Sequence, residues 1–250
     1  MNKSIPISCK MITYGRVSQL EESLESFLRQ NYDGEKELLI VNDCPFQTLY
    51  FEHPEVKIIN CKETFSTIGA KENFATENCI YDTIAQWDDD DLALSNHLQN
   101  INKYFPGYDY LHWQNGIAMV TYEIAAIRSL GNSGVVYSKD IWEKVGGYPL
   151  ENAGYDMTYL FSIKKIGGKI VKAFPLNNEI SWIYTWGDNG VYNMSGMGSD
   201  IGREDNVLKR HGRHIERLRK EGVIPEGDIV LNPNWSRDYE QMLKDYNNVH

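Results

Sequence analysis

Ile80-Tyr81-Asp82-Thr83-Ile84-Ala85-Gln86-Trp87-Asp88-Asp89-Asp90-Asp91 is the stretch that decides how this chain is read: an apolar segment of strand character runs into four consecutive aspartates. Adjacent carboxylates repel one another, so an acidic run at a strand end calls for a cation or a solvated loop. Hard divalent cations take oxygen ligands and are shared between a few carboxylates and the phosphates of a ligand. The spacing Asp88-x-Asp90 lets two carboxylates converge on one ion. The alternative is an acidic turn or helix start, where carboxylates complement the helix dipole.

Upstream of the run, strand and helix patterns alternate. Ile5 to Thr13 reads as a strand. Ser18 to Arg29 carries Leu20, Leu24, Phe27 and Leu28 at helical spacing, with Ser18 placed to cap it. Glu37 to Asn42 is a second strand, ending in Asn42-Asp43, and Val56 to Asn60 a third. Ile68 to Ile80 suggests a helix leading into the strand before the aspartates. Such alternation implies βαβ units and a mostly parallel sheet, with helices on its faces. Ligands bind beyond the carboxyl ends of strands in these sheets. Thr13-Tyr14, Asn42-Asp43 and Asp88 to Asp91 all fall there.

Composition sets outer bounds. A chain of 250 residues, 42% hydrophobic, can bury one full core, or one core with an appendage. Cys9, Cys44, Cys61 and Cys79 form no CxxC pair, so free thiols in a reducing cytosol are expected. Met1-Asn-Lys-Ser-Ile-Pro runs into a strand without a signal-peptide pattern, and no apolar run approaches the roughly 20 residues of a membrane span. A soluble, cytoplasmic protein with at most peripheral membrane contact is expected. The net charge of −10 argues against general nucleic-acid binding, although a local patch can override a total.

Five blocks in order then carry a resemblance. They are Ile12-Thr-Tyr-Gly-Arg16, Ser26-Phe-Leu-Arg-Gln-Asn31, Leu39-Ile-Val-Asn-Asp-Cys44, Ile68-Gly-Ala-Lys-Glu-Asn73 and Trp87 to Asp91. In order and spacing, over about 90 residues, they resemble the donor half of the family 2 glycosyltransferases, which have the GT-A fold. More loosely, Gly131 to Tyr148 is similar to the segment after the family's acceptor-side strand. Gly154-Tyr-Asp156 takes the place of its Gly-Glu-Asp, and Ser181 to Gly196 that of its late His-x-Ser segment. The resemblance implies a GT-A domain over residues 1–200, with a donor-nucleotide half to about 92 and an acceptor half to 200. Residues 201–250 form a helical C-terminal extension.

What the resemblance implies is a metal-dependent, inverting transfer of a sugar from a nucleotide-sugar, a UDP-sugar by preference, to an acceptor hydroxyl. Mn2+ or Mg2+ would sit on Asp90, with Asp88 on the metal or the ribose, Asp89 beside the sugar nucleotide and Asp91 in support. Asp43 resembles the family's base-recognising aspartate, flanked by Thr13 and Tyr14; an Asx-turn after a strand is its structural alternative. Asp156 is implied to be the general base, while a helix N-cap role is also compatible with its place.

Three positions depart from the family pattern. Tyr155 replaces the usual Glu, Glu72 stands where Arg is usual, leaving Lys71 as the nearby cation to reach the nucleotide or its phosphates, and Asn193 takes the place of the late histidine. Among the aromatics, Trp113 and Trp186, with Tyr155, are the candidates for acceptor contact; most of the others are expected to be core or rim.

The extension offers a further pattern. At about 100° per residue, Arg203, Lys209, Arg210, Arg213, Arg217 and Lys220 share one arc. Val207, Leu208, Ile215 and Leu218 share another. Such a helix either docks an anionic surface or packs by its apolar stripe. Ile229 to Trp235 and the helix-like Arg237 to Tyr246 would close over the domain or pair subunits into a homo-oligomer. The acceptor is left open between a glycan, a lipid-linked glycan and a hydroxymethylated base in DNA. A non-catalytic nucleotide-sugar or glycan-binding module is the reading from another class.

Overall fold

The computed structural model describes residues 4–120, 123–128, 133–176, 179–186 and 213–249. The donor-side elements are β1 (Ile7–Thr13), α1 (Val17–Leu28), β2 (Lys36–Asn42), β3 (Gln47–Tyr50), β4 (Val56–Asn60), α2 (Ile68–Asn78) and β5 (Thr83–Gln86). After the aspartates come β6 (Leu92–Ala93), α3 (His97–Tyr104), β7 (Tyr110–Trp113), β8 (Gly116–Val120) and β9 (Glu123–Arg128). Then follow β10 (Val136–Ser138), α4 (Lys139–Val145), α5 (Tyr155–Lys165), β11 (Ile170–Ala173) and β12 (Trp182–Trp186). The C-terminal extension contributes α6 (213–220), β13 (Gly227–Val230) and α7 (Tyr239–Val249).

Seven strands form the central sheet in the order β11-β7-β10-β5-β1-β2-β4. All its pairings are parallel except those of β10, which runs antiparallel to both β5 and β7. The expected mixed α/β, mostly parallel sheet is therefore what forms. Strand periodicity splits its side chains between two cores. Cys9, Met11, Leu38 and Ile40 pack with Leu20, Leu24 and Phe27 of α1 on one face. Leu39, Val41, Ile84 and Tyr110 pack with Ala75, Ile141, Tyr159 and Ile163 on the other. Each fully buried Leu or Phe there is worth about 1.5–3 kcal/mol of transfer free energy. A second sheet, β6-β12-β8-β9, sits beyond the aspartates.

Local differences from the sequence reading have local causes. Ser18 does not cap α1: Arg16 holds the N-cap position with no side-chain cap bond, and the Ser18 hydroxyl donates to Gln19 Oε1 at 2.8 Å inside the first turn. Helix α2 stops at Asn78 rather than Ile80, with Cys79 already extended and Ile80 65% exposed. The short β3 escapes a periodicity reading because four residues are too few to display one.

Helix α2 buries Lys71, Glu72 and Thr76 rather than an apolar stripe, so its inward face serves a polar centre. Thr67 caps it, accepting the Ala70 N–H at 3.0 Å. Its start is tied to the loop before α5 by Gly69 N–H to Glu151 O at 3.0 Å and Ile68 N–H to Asn152 Oδ1 at 2.9 Å. A Cβ at residue 69 would lie 1.8 Å from the Pro149 carbonyl oxygen, so this approach requires glycine.

The extension packs on its own domain. Strand β13 runs parallel to β3, Tyr239 and Leu243 of α7 join Leu92, Leu94 and Ile117, and the indole of Trp235 donates to Ser26 Oγ at 3.0 Å. On α6, Ile215 and Leu218 are buried, as the apolar arc requires. The basic arc is partly neutralised: Lys220 lies 3.5 Å from Glu216, Arg217 3.9 Å from Glu221, and Arg219 2.9 Å from Glu226. Arg203, Lys209 and Arg210, with Val207 and Leu208, lie outside the described residues.

Candidate active site

The ends of β1, β2 and β5 meet at one edge of the central sheet, as parallel pairing of β1 with both neighbours demands. The aspartate run continues from β5, anchored by Trp87 N–H to Lys10 O at 2.9 Å and by the Ser23 hydroxyl to Asp88 O at 2.7 Å. Its residues alternate. Asp89 and Asp91 are each 1% exposed, whereas Asp88 and Asp90 are only partly buried.

The inward pair is structural. Asp91 accepts the Ser133 hydroxyl at 2.6 Å and the Thr185 N–H at 2.9 Å, joining the run to the loop before β10 and to β12. Asp89 accepts both Nε–H, at 3.2 Å, and Nη2–H of Arg16, and bonds the Thr13 hydroxyl. Asp89, expected beside the sugar nucleotide, is instead buried in the turn after β5, where Arg16 holds its carboxylate. Arg16 also donates Nη1–H to Asp90 Oδ2 at 2.5 Å.

Four carboxylates in one place outweigh one guanidinium. Desolvation, then Asp90, pushes Asp88 up to about 7; desolvation, against the pull of Arg16, pushes Asp89 up to about 6. Asp91 is raised by burial and by Asp90 and Asp88. Burial would lower Arg16, but Asp89, Asp90 and Asp88 hold it above its ordinary value. The centre is rich in oxygen donors and short of positive charge. Among the described residues, no three carboxylate, histidine or cysteine groups form a ready-made metal cage.

Asp43 follows β2 and is 3% exposed. Its Oδ1 pairs with Lys71 Nζ and its Oδ2 accepts the Phe65 N–H at 2.9 Å. Lys71 Nζ also donates to the Thr13 carbonyl at 2.6 Å, so this lysine braces the ends of β1 and β2. Tyr14 stands at the rim, its ring edge-on to Phe46 with centroids 6.3 Å apart.

Beneath the aspartates lies a second ion pair, Lys10 with Glu72, fully enclosed. Lys10 also lies 4.6 Å from the centroid of the Tyr148 ring. Gln86 Nε2 donates to Asp88 Oδ1 at 2.9 Å and reaches Glu72 Oε1 at 3.4 Å. The Tyr155 hydroxyl meets the same Glu72 oxygen at 3.5 Å. Where the family pattern has a cation, this chain has a carboxylate, and the cation has moved to β1.

Asp156 occupies the first turn of α5, which has Gly154 at its N-cap. Burial raises the Tyr155 phenol, and Glu72, Asp88 and Asp156 raise it further, so three carboxylates bear on one hydroxyl. Trp113 is corrected as an acceptor contact: it is 2% exposed, in the core, with its indole N–H donating to Gly134 O at 2.7 Å. A ring at that depth presents no face to a sugar. Trp186 ends β12, but its side chain lies outside the described residues, as does Asn193. Sequence reasoning did not single out Arg16, Lys10, Gln86, Ser133 or Thr185. The available signals were a lysine inside an apolar strand and an arginine directly after Gly15.

A mostly parallel α/β sheet with an acidic run beyond one strand end is the class this geometry defines. Residues 8–121, a little under half of the chain, match the model of the family described as Glycosyl transferase family 2, which marks this part as a glycosyltransferase domain. No curated protein sequence matches the chain. Among solved structures, S. aureus TarS 1–349 in complex with UDP-GlcNAc is similar with a TM-score of 0.58 at 13% identity, covering 87% of this chain and 75% of that one. The mannosyltransferase PcManGT from Pyrobaculum calidifontis, in complex with GDP-Man and Mn2+, is similar with a TM-score of 0.56 at 14% identity. That match covers 88% of this chain and 65% of the other. At such identities the likeness concerns the fold. No helix among the described residues is long and apolar enough to cross a membrane.

Proposed function

We propose that the enzyme transfers a sugar from a nucleoside-diphosphate sugar, by preference a UDP-sugar, to an acceptor hydroxyl with inversion. The observation that carries this is the partly buried pair Asp88 and Asp90 just after β5, with Asp156 in the first turn of α5. The structural neighbours bound to UDP-GlcNAc and to GDP-Man support the donor class.

The donor set suits a hard divalent cation. Asp88 and Asp90 offer oxygens at a centre short of positive charge, and Arg16 engages Asp90 through Oδ2, leaving Oδ1 for an ion. Mg2+ and Mn2+ are commonly held by one or two carboxylates plus substrate phosphates, so a cage is not required. When bound, the ion neutralises charge building on the diphosphate as the glycosidic bond breaks. Asp156 takes the proton of the acceptor hydroxyl, whose oxygen attacks the anomeric carbon from the face opposite the diphosphate. Asp43, Thr13 and Tyr14 bind the base and ribose, and Lys71 fixes Asp43. Tyr155 and Trp186 remain our acceptor candidates.

The test is donor hydrolysis and transfer with UDP- and GDP-sugars, with Mn2+ and with EDTA, for wild type and Asp90→Asn. Loss of turnover in both EDTA and the variant, with the product anomer inverted by NMR, is the expected result. Full activity in EDTA would remove the metal from the proposal; absence of any turnover or donor binding would favour a non-catalytic module.

A further inference from the structure

The last described segment of the chain lies over the carboxyl ends of β1 and β2. Strand β13 is fastened to β3 with Gly227 opposite Gln47, Gln47 Nε2 donates to Pro225 O at 2.8 Å, and Gly227 N–H donates to Phe46 O at 2.9 Å. These bonds hold α6 and the turn after it against the two loops that leave β1 and β2.

The contact on that side is apolar and close. Ile215, Leu218 and Ile224 are 1%, 6% and 4% exposed and form a small cluster with Tyr14 and Phe46. The Arg219 guanidinium sits 4.7 Å from the Phe46 ring centroid. Gly15 has φ +76°, and a Cβ there would lie 3.4 Å from Ile215 Cγ2, so the β1 loop is shaped to receive the helix. This cluster is separate from the two main cores of the sheet.

We propose that residues 215–224 of the C-terminal extension form the outer wall of the nucleobase subsite, fixing Tyr14 and Phe46 around the heterocycle of a nucleoside diphosphate. The inference rests on the donor site proposed above. A planar heterocycle entering between the β1 and β2 loops meets aromatic and aliphatic side chains whose positions the extension sets. The diphosphate, by contrast, faces the aspartates, which the extension does not touch through this cluster. The wall therefore acts on the base and not on the phosphates.

Calorimetric titration of the full chain with UDP, GDP and inorganic pyrophosphate, each with Mn2+, tests this. Ile215→Ala opens the wall, and Arg219→Met removes the charge over Phe46 from a partly exposed position. Val230→Ala, on the 77% exposed face of β13, is the control. Thermal unfolding confirms that each variant is folded. Expected is a roughly tenfold weaker Kd for the preferred nucleoside diphosphate in Ile215→Ala, a smaller change in Arg219→Met, and pyrophosphate binding within about twofold of wild type. Nucleotide binding unchanged in both variants, or pyrophosphate weakened equally, overturns the wall. Failure of wild type to bind either nucleotide would instead overturn the donor site, and the wall with it.

Discussion

Arg16 donates Nη1–H to Asp90 Oδ2 at 2.5 Å while its other nitrogens fork onto Asp89, so one guanidinium holds two successive carboxylates. The planar fork suits this, since a single ammonium could not satisfy both. Its position on the loop after β1 makes the first strand end a partner of the third.

Arg16→Met leaves these carboxylates without their counter-charge. Removing one partner of a largely buried pair costs about 3–5 kcal/mol, here less because part of Arg16 is solvated. The variant should melt well below wild type, and Mn2+ should raise its melting temperature more than that of wild type. Differential scanning fluorimetry with and without the ion reads this; an equal or smaller shift in the variant would separate Arg16 from the cation site.

Asp156→Asn should lower kcat by about 10²–10⁴, as loss of a general base does, with donor Kd unchanged. Single-turnover kinetics at saturating donor, beside titration of the donor alone, separate the two quantities. A collapse of donor binding with kcat preserved would move Asp156 to the nucleotide site.

Lys10→Met strands Glu72 in a dry interior and should destabilise by about 3–5 kcal/mol. Lys10→Met with Glu72→Leu replaces both charges and should recover most of that loss, since an apolar pair of similar volume is often tolerated. Urea melts of the two singles and the double complete the cycle. The double variant should still lose activity, because Gln86 and Tyr155 then lose the Glu72 oxygen they share.

Arg213→Glu with Arg217→Glu addresses the acceptor. Glu216, Glu221 and Glu226 pair with the basic residues of α6, so its exposed face is of mixed sign. The acceptor KM should be unchanged at both low and high salt. A KM that rises in the variant, with the effect fading as salt increases, would instead identify a polyanionic acceptor such as DNA.

Much of the fold was legible because it rests on local pattern. The apolar runs of β1, β2 and β4 and the Leu20, Leu24, Phe27 stripe of α1 are one-dimensional signals, and their ends match the structure within a few residues. What periodicity could not supply was partnership across the sheet. Nothing in the spacing of Arg16, Lys10 or Gln86 says which carboxylate each meets, since those contacts join residues 2 to 74 positions apart. Trp113 shows the opposite error: an aromatic that could stack on a sugar face reads as an acceptor contact, whereas its place on β7 sends it inward.

The parallel pairing of β3 with β13 joins residues 47–50 to residues 227–230, and this span bears on the order in which the protein is built. During synthesis the donor half emerges early, but the open edge of β3 and the cluster around Phe46 stay uncovered until those later residues appear. An unpaired strand edge is a template for wrong partners, and contacts this distant in sequence form slowly. A ribosome that stops before residue 227 therefore releases a chain with its sheet largely specified and β3 unpaired. Quality control can recognise that edge as a sign of an unfinished molecule.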